Sequence, residues 1–187
     1  MTKSMSNRSI RLERAVPDDA ARLVQVIDPK ALQNFSMFAS GRPLTVEEER
    51  MYLQRMSGPT DKLFLVFVNK SSRLIGTTGL HEIDTRMHTA RIGTIIFNPR
   101  DRGHHYGTKA MEMTLDYGFY QLGLNKIYGQ TFVHNKPVLQ LHKHLGFVHE
   151  GILRQEYYLR GEYYDMVRES ILHSEWEQRL QQKGDHR

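Results

Sequence analysis

The chain has 187 residues, enough for one domain with a sizeable core. Its 39% apolar and 25% charged content is ordinary for a globular protein, no apolar run is long enough to span a bilayer as a helix, and the absence of cysteine excludes disulfides, thiolate metal sites and a cysteine nucleophile. The net charge of +5 comes from interspersed acids and bases with no block of five like charges, which favours a mildly basic surface over a nucleic-acid-binding stripe.

Residues 1–8 carry no apolar segment of a secretory signal and read as a flexible leader. Ile10 and Leu12 alternate with Arg11 and Glu13, which predicts a strand over Ser9 to Ala15. Pro17-Asp-Asp opens a helix with acids at its positive end and an apolar face of Ala20, Leu23, Val24 and Ile27; Asp28-Pro29 closes it. From Ala31 to Pro43 the pattern is irregular. Thr45 and Glu48 then make a capping box for a helix to about Met56, which Ser57-Gly-Pro59 breaks.

Leu63 to Val68 is a continuous apolar strand, and further strands follow over Leu74 to Asp84 and Ala90 to Phe97. Met111, Leu115, Phe119 and Leu122 recur at helical spacing. A strand over Lys126 to Val133 and a short helix from Pro137 to the stop at Gly146 come next. Phe147 to Tyr158 and Tyr163 to Ser174 form a final antiparallel pair turning at Arg160-Gly161, and the polar end beyond Trp176 reads as frayed. The order βααβββαβαββ is a mixed α/β pattern, one domain over 9–176 with a tail at 177–187.

Between the strand ending at Phe97 and the long helix lies Asn98-Pro-Arg-Asp-Arg102-Gly103-His104-His105-Tyr106-Gly107-Thr108. A strand, Gly turn and helix start aim unpaired backbone N–H groups and the helix dipole at one point, which suits a phosphate. Arg102-Gly103-x-x-Tyr106-Gly107-Thr108 resembles the acyl-CoA pyrophosphate loop of the GCN5-related N-acetyltransferases (GNAT), usually Arg/Gln-x-x-Gly-x-Gly/Ala. Asn135 followed by Lys143-His-Leu-Gly146-Phe147 is similar to the same superfamily's Asn…Lys-Leu-Gly-Phe signature. Glu150-Gly151-Ile-Leu-Arg154 and Gly161-Glu-Tyr163-Tyr-Asp165 resemble the end of its ribosomal-protein N-terminal acetyltransferase branch, which also contains spermidine and amino-sugar acetyltransferases. The resemblance runs from about Ser9 to Trp176. One departure stands out: His105 occupies the place of the first motif glycine, where glycine takes a positive φ at little cost.

The resemblance implies a three-layer α/β fold, with a twisted mixed sheet splayed around acetyl-CoA and helices on both faces. It implies an N-acetyltransferase that moves acetyl from acetyl-CoA to a primary amine (a protein N-terminus, an amino sugar or a polyamine) by direct attack in a ternary complex. The main chain of Ile95, Ile96 and Phe97 would pair with the pantetheine arm as an added strand. The loop Arg102, Gly103, His104, His105, Tyr106, Gly107 and Thr108 would hold the pyrophosphate, and Asn135 the cofactor's amide region. A polyamine is disfavoured by Arg42 and the lack of acids from Phe35 to Thr45.

Amine acetylation requires an ammonium to lose a proton, an oxyanion to be stabilised and a thiolate to be protonated. Glu82 is the candidate base, because His81-Glu82-Ile83-Asp84 resembles the family's Glu-Ile stretch beside the cleft; Glu156 and Asp165 rank below it. In a regular strand His81 alternates to the face opposite Glu82. His142 stands five residues before Phe147, where the family commonly has a tyrosine acid, and an imidazolium donates protons near neutral pH. A surface histidine without a role is the alternative there, and Tyr157 is a second candidate donor. The ten histidines show no metal-ligand spacing, so no metal is expected.

Two rival readings remain: a non-catalytic acyl-CoA-binding regulatory module in which His105 and His142 mark decay, and, more weakly, a basic nucleic-acid-binding domain. The expected partners are acetyl-CoA and an amine, without membrane; the expected location is cytoplasmic, and homodimerisation is left open.

Overall fold

The computed structural model describes residues 4–28 and 43–184. The irregular stretch from Ala31 to Pro43, with the Arg42 expected to disfavour a polyamine, therefore lies almost wholly outside the described residues. In chain order the strands are β1 (Ser4–Ser6), β2 (Ile10–Arg14), β3 (Lys62–Val68), β4 (Arg73–Asp84), β5 (Thr89–Ile96), β6 (Lys126–Phe132), β7 (Val148–Leu159) and β8 (Glu162–Leu172). The helices are α1 (Ala20–Val26), α2 (Val46–Met56), α3 (Tyr106–Asp116), α4 (Lys136–Leu145) and α5 (His173–Gly184). The strands form one eight-stranded mixed sheet in the order β1-β2-β3-β4-β5-β6-β8-β7, and β5 runs parallel to β6. No helix among the described residues is long and apolar enough to cross a membrane.

The chain packs as two compact units. One comprises residues 1–83 and 92–114, the other 84–91 and 115–187. In the first, Leu63, Leu65 and Phe67 of β3 join Leu23 and Ile27 of the α1 segment, Leu53 of α2 and Phe97 in one core. Each such side chain contributes about 1.5–3 kcal/mol by leaving water. The capping box at Thr45 forms as its sequence requires. The Thr45 hydroxyl accepts from the Glu48 N–H at 3.2 Å, and the Glu48 carboxylate accepts from the Thr45 N–H at 3.0 Å. Inside the sheet, Thr78 of β4 shares hydrogen bonds with Thr94 of β5 (2.7 Å) and Thr114 of α3 (3.0 Å).

The second unit is built on β6, β8 and β7, with Ile127, Leu145, Ile171 and Trp176 buried. Its β5–β6 ladder covers Thr89–Arg91 against Lys126–Tyr128. Gly146 ends α4 at φ 91°, and its N–H donates to the carbonyls of His142 and Lys143.

Three expectations need correction. The leader is structured in part: Met5 pairs with Leu12 in the β1–β2 ladder. The polar end is also structured, because α5 runs to Gly184 and is anchored by Trp176, whose indole N–H donates to Asp116 at 2.8 Å. The long helix does not stay α-helical to Leu122; from Tyr117 to Gln121 it widens into a π turn, with the Leu122 N–H bonded to the Tyr117 carbonyl.

Candidate active site

The first unit carries the residues expected to form the phosphate loop. After β5 the chain makes a single 3-10 turn at Pro99–Asp101, and the Asn98 side chain accepts from the Arg100 N–H. Asp101 is buried and bidentate to Arg73, at 2.6 and 2.7 Å, which clamps the turn to β4. Gly103 sits at φ 79° and His105 at φ 59°. The left-handed conformation expected of a motif glycine is thus adopted by histidine, at the steric cost glycine would avoid. His105 closes the start of α3 by accepting the Lys109 N–H, so the first-turn N–H groups of Tyr106, Gly107 and Thr108 point out of the helix end without intrahelical acceptors.

Gly107 is informative for a different reason. A Cβ built on it would meet only the Ile96 side chain, at 3.7 Å, an ordinary contact. No neighbouring atom in the fold requires glycine there.

The main-chain partners proposed for the pantetheine arm divide by direction. The Phe97 N–H donates to the Ile75 carbonyl at 2.9 Å, and the Ile95 carbonyl lies against Gly76, so both face β4. Ile96 faces the other way, and its carbonyl accepts from the Arg102 guanidinium at 3.2 and 3.3 Å. Arg102 therefore turns back onto the strand, where burial lowers its proton affinity. His104 and His105 are exposed, and the His104 ring lies near that of Tyr106.

Glu82 is exposed on β4 at φ 54°, a left-handed residue inside a strand. The strand is not regular at this point, so simple alternation does not govern how His81 and Glu82 are disposed. His81 is bonded through Nδ1 to Asp61 at 3.0 Å.

The second unit holds the remaining candidates. Asn135 is 2% exposed; its side chain caps no helix N–H, its amide donates to the Thr131 hydroxyl at 3.0 Å, and its Oδ1 is buried with no partner. Such an orphaned acceptor fits a ligand N–H, as an amide of a pantetheine arm would supply. His142 is buried, which removes the surface-histidine alternative. Its Nδ1 lies 2.8 Å from Glu169 on β8, and its ring stacks on Phe147 at 4.6 Å. Gly129 of β6 makes room for that ring, since a Cβ there would come within 2.5 Å of His142 Cε1. Tyr157 is half-buried against Phe132, and burial pushes its phenol up, toward the protonated donor form. Asp165 accepts the Gln155 N–H at 2.7 Å where β7 bulges, a structural task.

Glu169 and Asp61 escaped the sequence reading because each meets its histidine across 27 or 20 residues, where no local motif exists. Gly129 was the one available signal, since a glycine inside a strand marks a close approach.

The chain belongs to the GNAT acetyltransferases: residues 9–148 match the acetyltransferase (GNAT) domain family. It is accordingly an acetyl-CoA-dependent N-acetyltransferase. Among its relatives is the spermidine N(1)-acetyltransferase of Vibrio cholerae serotype O1, 32% identical over 130 residues, which cover 70% of this chain and 74% of the relative. The crystal structure of spermidine N-acetyltransferase from Vibrio cholerae in complex with CoA and spermine has a TM-score of 0.78 at 27% identity, covering 91% of this chain and 99% of that one. The ribosomal L7/L12 α-N-protein acetyltransferase RimL in complex with coenzyme A shares the fold, with a TM-score of 0.81 at 17% identity over 89% of this chain and 95% of its own. The mixed α/β class and branch expected from the sequence hold.

Proposed function

We propose that the enzyme acetylates the primary amine of a small cationic acceptor, with a polyamine such as spermidine as the first to test, by direct attack on the thioester. The observation that carries the cosubstrate site is the first turn of α3, where Gly107 has no structural reason to be glycine. Support for the acceptor comes from the relative that is a spermidine N(1)-acetyltransferase, and it is set against the sequence expectation that Arg42 and the lack of acids from Phe35 to Thr45 disfavour a polyamine. The N–H groups of Tyr106, Gly107 and Thr108 receive the pyrophosphate, while Gly103 and His105 shape the turn that aims them. Ile96 offers main-chain pairing to the pantetheine arm, and Asn135 Oδ1 accepts an amide N–H.

Glu82 draws the ammonium and accepts its proton, directly or through a water, leaving the neutral amine to attack. Amine attack forms the C–N bond, and the C–S electron pair leaves with the thiolate. His142 protonates that thiolate with Glu169 holding the imidazole, and Tyr157 is the second donor. Calorimetric titration with acetyl-CoA, against desulfo-CoA and adenosine, tests the site. Binding that needs the pyrophosphate and is lost in Gly107→Trp upholds it, and no binding at millimolar acetyl-CoA refutes it. Thiol release with spermidine, glucosamine and an N-terminal peptide then ranks acceptors; preference for the neutral peptide terminus would overturn the cationic assignment.

A further inference from the structure

We infer that the second unit carries a ligand site of its own, between α4 and the β7–β8 pair, for a small aromatic molecule bearing a single carboxylate. Lys136, Leu139, Gln140 and Lys143 stand at i, i+3, i+4 and i+7, so they share one face of α4. The same helix buries His142 and Leu145 on its inner side, and the outer face lines an open cavity of about 550 Å³. Ligand pockets run to roughly 300–1,000 Å³. Phe147 and Val167, each 7% exposed, and the half-buried Leu139 give the cavity an apolar floor. Across it, His149 of β7 stands opposite Glu169 of β8 in the strand register, so the two share the sheet face that closes the cavity.

Charge selects the occupant. Lys136 and Lys143 are exposed at the cavity's edge, and neither ammonium has an ion-pair or hydrogen-bond partner among the described residues. They are two helical turns apart, about 10 Å along the axis. Flexible four-carbon stems let both converge on one anion seated beside Gln140, whose amide is a further donor. Glu169 sets the limit. It is a buried carboxylate in the wall, and a second anionic group on the ligand would be driven against it. A phosphorylated or dicarboxylic ligand is therefore disfavoured, and the body of the occupant is uncharged. An aromatic ring lays a large apolar area on the floor at low conformational-entropy cost and meets Phe147 in stacked or edge-on geometry.

Two walls of the cavity are also the supports of His142. Glu169 Oε2 lies 2.8 Å from His142 Nδ1, and the Phe147 ring stacks on the imidazole at 4.6 Å. An occupant displaces water from Glu169 and Phe147, so it changes the field at the imidazole without touching it. Every residue that lines the cavity belongs to the second unit, whereas the turn between β5 and α3 belongs to the first. Binding here needs neither acetyl-CoA nor an amine and so goes beyond the acetyltransferase reading.

The test uses the full chain and 1-naphthoate, with naphthalene-1-methanol as the uncharged isostere. Calorimetry should show 1-naphthoate binding at one site with sub-millimolar affinity. The alcohol should bind about five- to tenfold more weakly, as the loss of two exposed ammonium partners implies. The double variant Lys136→Gln/Lys143→Gln should erase that difference with its thermal midpoint unchanged, and Leu139→Ala should weaken both ligands. Backbone amide shifts should centre on α4 and on residues 147–149 and 167–169, and the ring nitrogens of His142 should shift at saturation. The site is overturned by no binding at millimolar 1-naphthoate, by equal affinity for the alcohol, or by a double variant that keeps the preference. Undiminished affinity in Leu139→Ala, amide shifts centred on the turn between β5 and α3, or unmoved His142 ring resonances overturn it as well. Failure of acetyl-CoA to bind in its own titration refutes the acetyltransferase reading and leaves these results untouched.

Discussion

Gly129→Ala tests whether the buried imidazole of His142 is as fixed as its contacts imply. The added methyl would lie 2.5 Å from Cε1, 3.0 Å from Nε2 and 3.3 Å from Nδ1. Carbon contacts settle at about 3.5–4.0 Å, so the overlap is roughly 1 Å. The ring cannot swing aside cheaply, because Glu169 holds Nδ1 at 2.8 Å and Phe147 stacks at 4.6 Å. Overpacking costs about 1–3 kcal/mol, and alanine recovers about 0.5–1 kcal/mol over glycine in a strand. The expected net loss is about 1–2 kcal/mol, read as a lower urea midpoint at constant slope. In a His142→Asn background the donor to Glu169 is kept while Cε1 and Nε2 are gone. Gly129→Ala should there be neutral or stabilising, giving a coupling of about 2 kcal/mol. Equal cost in both backgrounds, or stabilisation in the wild type, would refute the packing argument.

His105→Gly should stabilise by about 0.5–1 kcal/mol, since relief of left-handed strain outweighs the entropy glycine adds to the unfolded chain; differential scanning calorimetry should show a midpoint a few degrees higher or less. Arg73→Ala should be more destabilising than Asp101→Ala. The first strands a carboxylate that is 6% exposed, whereas the second leaves an arginine that is 53% exposed, and paired denaturation curves decide. Glu49, 3% exposed on α2, is raised to about 7 by burial. Its folded form holds the proton more tightly than the unfolded form. Its stabilising contribution is therefore complete below about pH 4.5 and lost as pH rises through 7, at no more than about 1.4 kcal/mol per pH unit. Glu49→Gln should flatten that slope in urea denaturation at pH 5 to 8.

The elements were legible where local chemistry specifies them. The run Leu63 to Val68, the Thr45–Glu48 box and the Gly146 stop each act within a few residues, and each forms. Ser4–Ser6 carries no apolar alternation and becomes a strand only because β2 offers an edge, so no pattern announces it. The turn between β5 and α3 was legible because its residues are consecutive. The histidine partners Asp61 and Glu169 were not, since tertiary packing alone brings them to their imidazoles. Glu82 shows a subtler limit: alternation along β4 is a rule for regular strands, and a φ of 54° suspends it.

Trp176 is the chain's only tryptophan, and its 1% exposure and bond to Asp116 make it a native optical gauge. Its emission reports one event, the seating of α5 against the segment around Asp116. A blue-shifted spectrum reads a seated helix; a red shift preceding loss of β-sheet ellipticity reads release of the last helix while the sheet still holds. The order in which this fold comes apart can therefore be followed without adding a label.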